Sequence, residues 1–411
     1  MQSVEVAVVG AGVVGLAIAH RLAGEGREVA LVDPEAPGSG ASFGNAGTIA
    51  DYAVQPVGTP DVLKRLPSLL FDQNSPLAIR RAAILSLMPW LARFLRQSLP
   101  GPARRNATAL AAILADAAAE WRELAAGIGG AALMRDRGCL YFYEKPGALK
   151  AAEADMGLRR SLGVNVEILG AAELARLEPG LPPLAGAAFF PGALFQTDPG
   201  RMMELLAAAA KGAGAGLVKG RVEALERRVD GVLLTGPSLK LHARRVVIAA
   251  GAHSRPLARM AGNRVPLDTE RGYHAEWDLA EPRITRPSAA VARGFYLCPM
   301  AGRLRAAGTV ELGGLTAPPS PHRVARLVAG ARSVFPDLGE PDRSWMGFRP
   351  SIPDSLPVIG PSAGGSDVIL AFGHGHIGLT LAPATARIVA DLIRGRAPHL
   401  PLEPYAPGRF G

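Results

Sequence analysis

The first forty residues alternate between continuous apolar runs and a stretch with helical periodicity. Residues 4–9 (VEVAVV) and 28–32 (EVALV) are rich in valine, which is typical of strands buried on both faces of a sheet. Between them, residues 12–23 are rich in alanine, leucine and isoleucine and predict a helix. A strand, a helix and a strand in this order form a βαβ unit, so the sequence predicts a parallel sheet.

The same pattern returns in two later parts of the chain. Residues 245–251 (RVVIAAG) predict another buried strand that ends in glycine, and residues 368–372 (VILAF) predict a strand that precedes a helix over 376–394. Asp198 and Pro199 are preferred residue types for the cap and the first position of a helix. We therefore expect the parallel sheet to be assembled from separated segments.

Other apolar segments follow one another without long helices between them. They cover residues 139–143, 289–299, 304–312 and 345–349, whereas residues 107–126 predict a long helix. Strands joined by turns favour an antiparallel sheet and thus a second lobe. The expected fold class is α/β, with a Rossmann-type nucleotide-binding lobe and an inserted α+β lobe whose sheet is mostly antiparallel. The expected boundaries are 1–60, 195–265 and 350–411 for the first lobe, and 61–194 and 266–349 for the second.

Composition narrows the choice of partners. The 411 residues include 45 Lys and Arg against 36 Asp and Glu, a formal net charge of +9. A basic surface attracts anions, but the charges are scattered and aromatic residues make up 5%, so we expect no nucleic-acid partner. Two cysteines fit a reducing, cytoplasmic compartment without disulfides. The chain enters a strand at once and has no apolar run of about 18 residues, so we expect neither a signal peptide nor a membrane span.

Residues 75–99 mix leucine, isoleucine and methionine with four arginines. A basic amphipathic helix of this kind can lie on a membrane surface, which leaves a peripheral position on the inner membrane open. The simpler interpretation, which we favour, is a helix packed on its own domain with solvated arginines. Pro89 argues against one continuous helix.

A glycine-rich turn joins the first strand to the first helix. Gly10 suits the tight turn, Gly12 lets backbone approach a pyrophosphate, and Gly15 lets the helix pack against the strand. Asp33 ends the second strand, where a carboxylate accepts hydrogen bonds from ribose hydroxyls and disfavours the 2′-phosphate of NADP. The alternative is a structural glycine turn with a surface aspartate. The predicted contacts with a dinucleotide are Gly10, Gly12, Val13, Val14, Gly15 and Asp33.

Further small-residue segments favour FAD over NAD. A nicotinamide enzyme usually keeps its nucleotide-binding unit contiguous, whereas here residues 40–47 (GASFGNAG), 251 and 373–378 (GHGHIG) also form potential approach points for a ligand. The last of these precedes a helix whose first amides can face the flavin ring. Ordinary surface loops are the alternative. The further residues predicted to contact FAD are Ser42, Asn45, Ala46, Gly47, Val222, Gly251, Gly373, His374, Gly375, Gly378, Leu379 and Thr380.

Candidate substrate contacts lie in the segments assigned to the second lobe. Arg349 ends a predicted strand, and its planar guanidinium can bind a carboxylate through two parallel hydrogen bonds. Tyr273 and Tyr296 can each donate to the same carboxylate. The alternatives are an arginine paired at the domain junction and tyrosines packed within the sheet. No metal-binding cluster, nucleophile elbow or cysteine nucleophile is recognisable, so the electron chemistry is assigned to the cofactor.

Taken together, these segments resemble the D-amino-acid oxidase-like family of flavoenzymes over essentially the whole chain. The GASFGNAG loop looks most like the D-amino-acid dehydrogenase branch, and other members include glycine oxidase and sarcosine oxidase. The motifs that carry the resemblance are VVGAGVVG (8–15), GASFGNAG (40–47), TDPGR (197–201), VVIAAGAHS (246–254), GFRPSIPDSLPVIG (347–360) and GHGHIGLTLAPATA (373–386).

The resemblance implies a non-covalent FAD held by the first lobe, because no cysteine follows Cys298 to attach the flavin as in sarcosine oxidases. The family's carboxylate-binding arginine falls on Arg349, and a carboxylate-binding tyrosine of glycine oxidase matches Tyr296. His376 stands where glycine oxidase carries an arginine, so it is a further candidate substrate contact.

The reaction that this implies is oxidation of a D-amino acid or imino acid by hydride transfer from Cα to flavin N5. The products after hydrolysis are a 2-oxo acid and ammonia, and the electron acceptor is O₂, a quinone or a carrier protein. Cleavage of an N-substituted glycine, as by glycine or sarcosine oxidase, and a non-catalytic flavin-binding subunit stay open. The sequence leaves the oligomeric state and the substrate side chain undetermined.

Overall fold

Two large β-sheets organise the chain in the computed structural model, which describes residues 2–64, 75 and 77–410. The strands are β1 (Gln2–Val9), β2 (Val29–Asp33), β3 (Thr48–Ile49), β4 (Leu77–Ile79), β5 (Met134–Arg135), β6 (Cys139–Tyr143), β7 (Glu167–Gly170), β8 (Gly186–Phe190), β9 (Leu194–Gln196), β10 (Gly216–Lys219), β11 (Ala224–Arg228), β12 (Gly231–Gly236), β13 (Leu239–Ile248), β14 (Asp268–Asp278), β15 (Ser288–Ala290), β16 (Phe295–Met300), β17 (Arg303–Leu312), β18 (Arg343–Ser351), β19 (Val358–Ser362) and β20 (Gly365–Phe372). The α-helices within the described ranges include α1 (Val13–Gly24), α2 (Ile84–Gln97), α3 (Pro100–Leu114), α4 (Ala117–Gly127), α5 (Pro146–Ala151), α6 (Glu153–Ser161), α7 (Ala171–Leu177), α8 (Pro199–Gly212), α9 (Ser254–Met260), α10 (Pro321–Val334) and α11 (Gly378–Ile393).

The first sheet is mainly parallel, as the sequence predicts. Its order is β10-β2-β1-β13, and both β12 and β20 pair with the far edge of β13. The ten-residue β13 accommodates both because its first half pairs with β12 antiparallel and its last residues pair with β20 parallel. Since β2, β1, β13 and β20 run in one direction, their carboxyl ends meet at the same edge of the sheet.

Helices α1 and α11 cover one face of this sheet. Their apolar residues, including Leu16, Ile18, Leu381 and Ile388, are fully buried in one cluster. The strands of this sheet contact protein on both faces, so their residues are apolar in continuous runs. Asp198 caps α8 as predicted, accepting from the Arg201 amide at 3.0 Å.

The second sheet is mostly antiparallel, with the order β18-β14-β17-β16-β15-β6-β8-β7 and with β4 beside β17. Helix α10 covers one face, and the other face is turned toward the loop at residues 40–47. A parallel sheet joined to an antiparallel one confirms the expected α/β fold class. The strands of the first sheet come from residues 2–33, 216–248 and 358–372, while the exact lobe boundaries stay a prediction.

Three local expectations are corrected. The helix expected over 107–126 is two helices, α3 and α4, which are separated by a turn at residues 115–116 and contribute to the same buried core. The strand expected over 289–299 is a hairpin of β15 and β16, since Gly294 turns the chain at φ +70°. Helix α2 continues through Pro89, and the carbonyl four residues earlier belongs to the exposed Leu85, where water can satisfy it.

No helix in the described ranges is long and apolar enough to cross a membrane. Helix α2 buries Leu87, Trp90 and Phe94 against Leu312 of the second sheet. Its packing on the chain's own domain agrees with the interpretation favoured from the sequence, and the helix also leaves apolar residues exposed on its outer side.

Candidate active site

The glycine turn after β1 is packed too closely to accept side chains. Gly10 has φ +109°, and a Cβ there would lie 2.4 Å from the Ala249 carbonyl oxygen. A Cβ at Gly15 would lie 1.8 Å from the Gly10 carbonyl oxygen. The start of α1 is thereby held against the sheet with its first amides at the strand ends, where the Val13 amide donates to the Ser42 hydroxyl at 2.9 Å. A helix terminus presented in this way suits a pyrophosphate.

Asp33 supports the same turn. Its Oδ2 accepts from the Ala11 amide at 2.7 Å and its Oδ1 accepts from the Glu35 amide at 2.9 Å. Each carboxylate oxygen keeps further acceptor capacity for a ribose hydroxyl. Val222 follows β10, whose Lys219 lies beside Asp33 in register, so Val222 also lies near this edge.

The loop at residues 40–47 is fixed from two sides. Asn45 bridges it internally, donating to the Ser42 carbonyl at 2.6 Å and accepting from the Gly47 amide at 2.7 Å, and the intervening Ala46 is half-buried. The second sheet holds it externally, because His274 Nδ1–H donates to the Gly44 carbonyl at 3.0 Å and Arg305 donates to the Asn45 carbonyl. Sequence reasoning assigned no such role to His274 or Arg305, since no local pattern shows which loop they meet.

The C-terminal turn offers backbone rather than side chains to a cofactor. Gly251 and Gly375, with φ +53° and +54°, face open space where a Cβ would meet no atom within 4 Å. The side chains nearby have partners within the protein, because His374 bonds to Thr385 at 2.9 Å and Thr380 accepts from the Ala50 amide at 3.0 Å. The expected contacts of His374 and Thr380 with FAD stay a prediction that their main-chain groups can meet. Gly373 and Gly378 pack against neighbouring side chains, and the Leu379 side chain is buried in the core.

Arg349 lies on β18 directly opposite Glu270 of β14. Its guanidinium lies against Gly272, where a Cβ would be 2.4 Å from the guanidinium carbon, and Nη1 donates to the Thr309 carbonyl at 3.0 Å. Within the described residues the Arg349 side chain makes this hydrogen bond, and its remaining N–H groups can bind a ligand. Burial lowers the pKa of Arg349, an effect that Glu270 opposes, and burial raises the pKa of Glu270, which Arg349 opposes.

Tyr296 shares its face of the second sheet with Arg349. Across adjacent strands, Tyr296 pairs with Ala307, Ala307 with His274, and His274 with Trp345 of β18. Paired residues of adjacent strands point to the same side of the sheet. Its hydroxyl donates to the Tyr141 hydroxyl at 2.9 Å. Burial and the neighbouring phenols raise the pKa of Tyr296 well above its usual range, so the hydroxyl stays protonated and can donate.

Tyr273 lies on the opposite face, which corrects the expectation that it contacts substrate. It is 2% exposed in the cluster under α10, and its hydroxyl donates to Glu311 and accepts from the Ser320 amide at 3.1 Å. Glu311 also accepts from Arg80 and Arg271. Tyr273 therefore belongs to a buried structural network.

Replacing Tyr273 with phenylalanine should lower the melting temperature while leaving kcat/KM within about twofold. The change leaves Glu311 without one donor, which costs about 1–3 kcal/mol of stability. Thermal unfolding and steady-state kinetics on the same preparation measure both quantities. A loss of kcat/KM above about tenfold at unchanged FAD content would show instead that Tyr273 contacts the substrate.

His376 lies within electrostatic reach of two arginines. Burial, then Arg349, then Arg159 lower its pKa to about 4, so the imidazole is neutral near pH 7. The His376 side chain is accessible because it lines a cleft, together with Glu270, Ser351 and Gly375. A neutral imidazole there can accept a hydrogen bond from a substrate amine.

Two other buried histidines predict acid sensitivity. Burial lowers the pKa of His374 to about 3, and burial followed by Arg305 lowers that of His274 to about 4. Unfolded histidine titrates near pH 6.5, so their stabilising contribution is complete above that pH and is lost as the pH falls toward 4. At pH 5 the loss is about 2 kcal/mol for each.

Thermal unfolding at pH 7 and pH 5 checks this expectation, with His374→Gln as the matched variant that should lose less stability on acidification. Asp51, whose pKa burial raises to about 6, and Glu270, whose pKa burial also raises, act in the opposite direction, whereas His376 acts together with the two histidines. Equal melting temperatures of the unmodified protein at the two pH values would contradict the prediction.

A dinucleotide cradle at the end of a parallel sheet, facing an arginine and a tyrosine on a second sheet, defines a dinucleotide-dependent oxidoreductase. Within the described residues, no group of three or more His, Cys, Asp or Glu side chains could hold a metal ion.

Comparison with known proteins specifies the family. A family model described as FAD dependent oxidoreductase matches residues 5–392. The D-amino-acid oxidase of Bradyrhizobium diazoefficiens is 36% identical over 424 aligned residues, covering 98% of each chain. D-amino acid dehydrogenase 2 of Ralstonia nicotianae is 32% identical, covering 98% of this chain and 100% of that protein. The crystal structure of glycine oxidase from Geobacillus kaustophilus matches with a TM-score of 0.78 at 26% identity, covering 100% of this chain and 99% of that chain.

The chain belongs to this family of FAD-dependent oxidoreductases, and its cofactor is FAD. The residues present fit the cofactor, because the close-packed turn at Gly10 and Gly15 admits only backbone beside a diphosphate and the open glycines 251 and 375 leave room for a ring system. The resemblance and the cofactor inferred from the sequence are thus confirmed, as is the enzyme class.

Proposed function

We propose that this flavoenzyme oxidises a D-amino acid or imino acid whose carboxylate is bound by Arg349 and Tyr296. The observation that carries the proposal is the placement of Arg349, enclosed on the sheet face that it shares with Tyr296 and with free guanidinium donors. The names of the relatives from Bradyrhizobium diazoefficiens and Ralstonia nicotianae support a D-amino acid as substrate.

The protein's contribution is mainly orientation. Arg349 fixes the carboxylate by paired charge-assisted hydrogen bonds, and the Tyr296 hydroxyl adds a donor when its single proton turns from Tyr141 to the carboxylate. His376, neutral near pH 7, can accept a hydrogen bond from the amine and so helps to orient it. When bound, FAD supplies the two-electron chemistry at the substrate Cα, and hydrolysis of the released imine gives a 2-oxo acid and ammonia.

Anaerobic mixing with candidate substrates tests the proposal. We expect D-amino acids to bleach the flavin absorbance near 450 nm while their L-enantiomers do not, an absorbance change that belongs to the cofactor itself. The panel includes glycine, sarcosine and cyclic imino acids. If no D-amino acid or imino acid reduces the flavin of the FAD-loaded protein, the proposed function is wrong.

A glycine oxidase-like reaction on an N-substituted glycine is the second candidate, favoured by the match to glycine oxidase from Geobacillus kaustophilus. Faster flavin reduction by secondary amines than by D-alanine would support it. Oxygen uptake under saturating substrate separates an oxidase from a dehydrogenase that passes electrons to a quinone or carrier protein. The third interpretation, a non-catalytic flavin-binding subunit, is not retained because the chain belongs to a family of oxidoreductases.

We further infer a peripheral contact between helix α2 and an anionic lipid surface. On its outer side Leu85 is 87% exposed and Met88 is 55% exposed, and neighbouring exposed apolar side chains of this kind indicate an interaction surface. Exposed Arg81, Arg93 and Arg96 flank them, and basic residues near an anionic surface contribute about 1 kcal/mol each.

Co-sedimentation with vesicles containing anionic lipid should therefore recover the protein at low salt. The double variant L85Q/M88Q should reduce the bound fraction severalfold, because both side chains are exposed and their replacement leaves the buried face of α2 intact. Exposed Leu158 on α6 gives the matched control L158Q. Equal recovery with and without anionic vesicles would exclude the lipid contact.

A further inference from the structure

A second arginine, Arg159, is buried beside the tyrosines of the cleft. The residue is 7% exposed, and its guanidinium carbon lies 5.8 Å from the centre of the Tyr141 ring and 5.9 Å from that of Phe190. It donates to the Tyr52 carbonyl. Two aromatic rings and a carbonyl hold the guanidinium in one place.

The buried charge of Arg159 is only partly compensated. Its ion pair with Asp155 is long, at 3.4 Å, and Asp155 is 37% exposed and also accepts from Gln55. Placing a guanidinium in a protein interior with so weak a partner costs free energy, which a merely structural role would not require. A bound anion would compensate the charge fully.

Arg159 lies over the same face of the second sheet as Arg349. Tyr141 and Tyr296 both lie opposite Ala289 on β15, so the two phenols point to one side of the sheet, the side already shown to carry Arg349. Arg159 packs over the Tyr141 ring on that side.

Both arginines also act on one residue in the cleft. Burial and the positive charges of Arg349 and Arg159 lower the pKa of His376, so both guanidinium groups lie near that side chain. Arg159 therefore lies on the side of the sheet that carries Tyr141, Tyr296 and Arg349, and both guanidinium groups act on His376.

We propose that Arg159 binds a second carboxylate of the substrate, so that the substrate class is an amino acid with two acidic groups. D-Glutamate, D-aspartate and N-carboxymethyl amino acids belong to this class. The proposal rests on the function proposed above, in which Arg349 takes the α-carboxylate. Arg159 then sets specificity: the planar guanidinium matches a carboxylate, and the surrounding aromatic rings strengthen the interaction by excluding water.

Pairs of isosteric acids and amides test this with the FAD-loaded enzyme. We expect kcat/KM, from anaerobic flavin reduction, to favour D-glutamate over D-glutamine by about 10-fold or more, the value of one charge-assisted hydrogen-bonded pair. Arg159→Met should reduce that preference to about 1, because it removes the donors for the second carboxylate. Arg160→Met, at the exposed neighbouring position, is the matched control and should retain the preference.

A binding measurement covers the case in which Arg159→Met does not retain FAD. Titration of the unmodified holoprotein should show glutarate perturbing the flavin spectrum and raising the melting temperature with a Kd about 10-fold below that of pentanoate. No preference for D-glutamate over D-glutamine, together with equal affinity for glutarate and pentanoate, would overturn the proposal. Flavin reduction by neutral D-amino acids alone would refute the substrate class but leave the proposed function standing, whereas no reduction by any amino acid would refute the latter.

Discussion

Replacing Arg349 with methionine should lower kcat/KM for every amino-acid substrate by about 30- to 1000-fold, the cost of losing a bidentate pair with a carboxylate. FAD should remain bound, because the Arg349 guanidinium contacts Gly272 and the Thr309 carbonyl of the second sheet rather than the glycine turn of the first. Methionine has a similar length and no charge, so the variant removes the donors with little change in packing.

The measurement is anaerobic flavin reduction, with the flavin content of each preparation quantified. Arg176→Met on α7, at an exposed position, is the control and should behave like the unmodified protein. Unlike Arg159→Met, which should affect acidic substrates selectively, Arg349→Met should weaken D-glutamate and D-alanine equally. An unaltered kcat/KM would remove Arg349 from the substrate site.

The second large effect is expected at Gly15. Its Cβ would lie 1.8 Å from the Gly10 carbonyl oxygen, so Gly15→Ala must push α1 away from the strand ends. The cost should exceed the roughly 1–3 kcal/mol typical of an overpacked core, because the obstructing atom is backbone and cannot rotate away. We expect purified Gly15→Ala to contain little or no flavin.

Absorbance at 450 nm relative to 280 nm measures flavin content directly. Gly24→Ala, at the other end of the same helix, is the matched control, because a Cβ there meets no atom within 4 Å. This control should bind FAD normally and be slightly more stable, since alanine favours helix over glycine. A fully flavin-loaded Gly15→Ala protein would show that the close packing at the turn is unnecessary for binding.

Local patterns predicted the turn between β1 and α1. The spacing of Gly10, Gly12 and Gly15 after an apolar run predicts a strand end, a turn and a helix start that follow one another in sequence. Because parallel strands bring their carboxyl ends to one edge of the sheet, the sequence also predicts Asp33 and Gly251 near that turn. Here chain order and spatial order agree.

The substrate side depended on information that a single sequence does not contain. Tyr273 and Tyr296 looked equivalent as strand tyrosines, yet the pairing of β14 with its neighbours turns Tyr273 away from the cleft. A register change of one residue would have exchanged the faces. The roles of Arg159 and His274 were likewise missed, because each acts on groups more than a hundred residues away.

The clamp on the loop at residues 40–47 links the fates of the two sheets. His274 and Arg305 hold the carbonyls of Gly44 and Asn45, while Ser42 of the same loop accepts from the first turn of α1. The sheets cannot separate without loosening this loop, whose residues are predicted to contact FAD. We therefore expect the rate of flavin release to depend on these contacts from the second sheet, so that strengthening them would lengthen the residence time of the coenzyme.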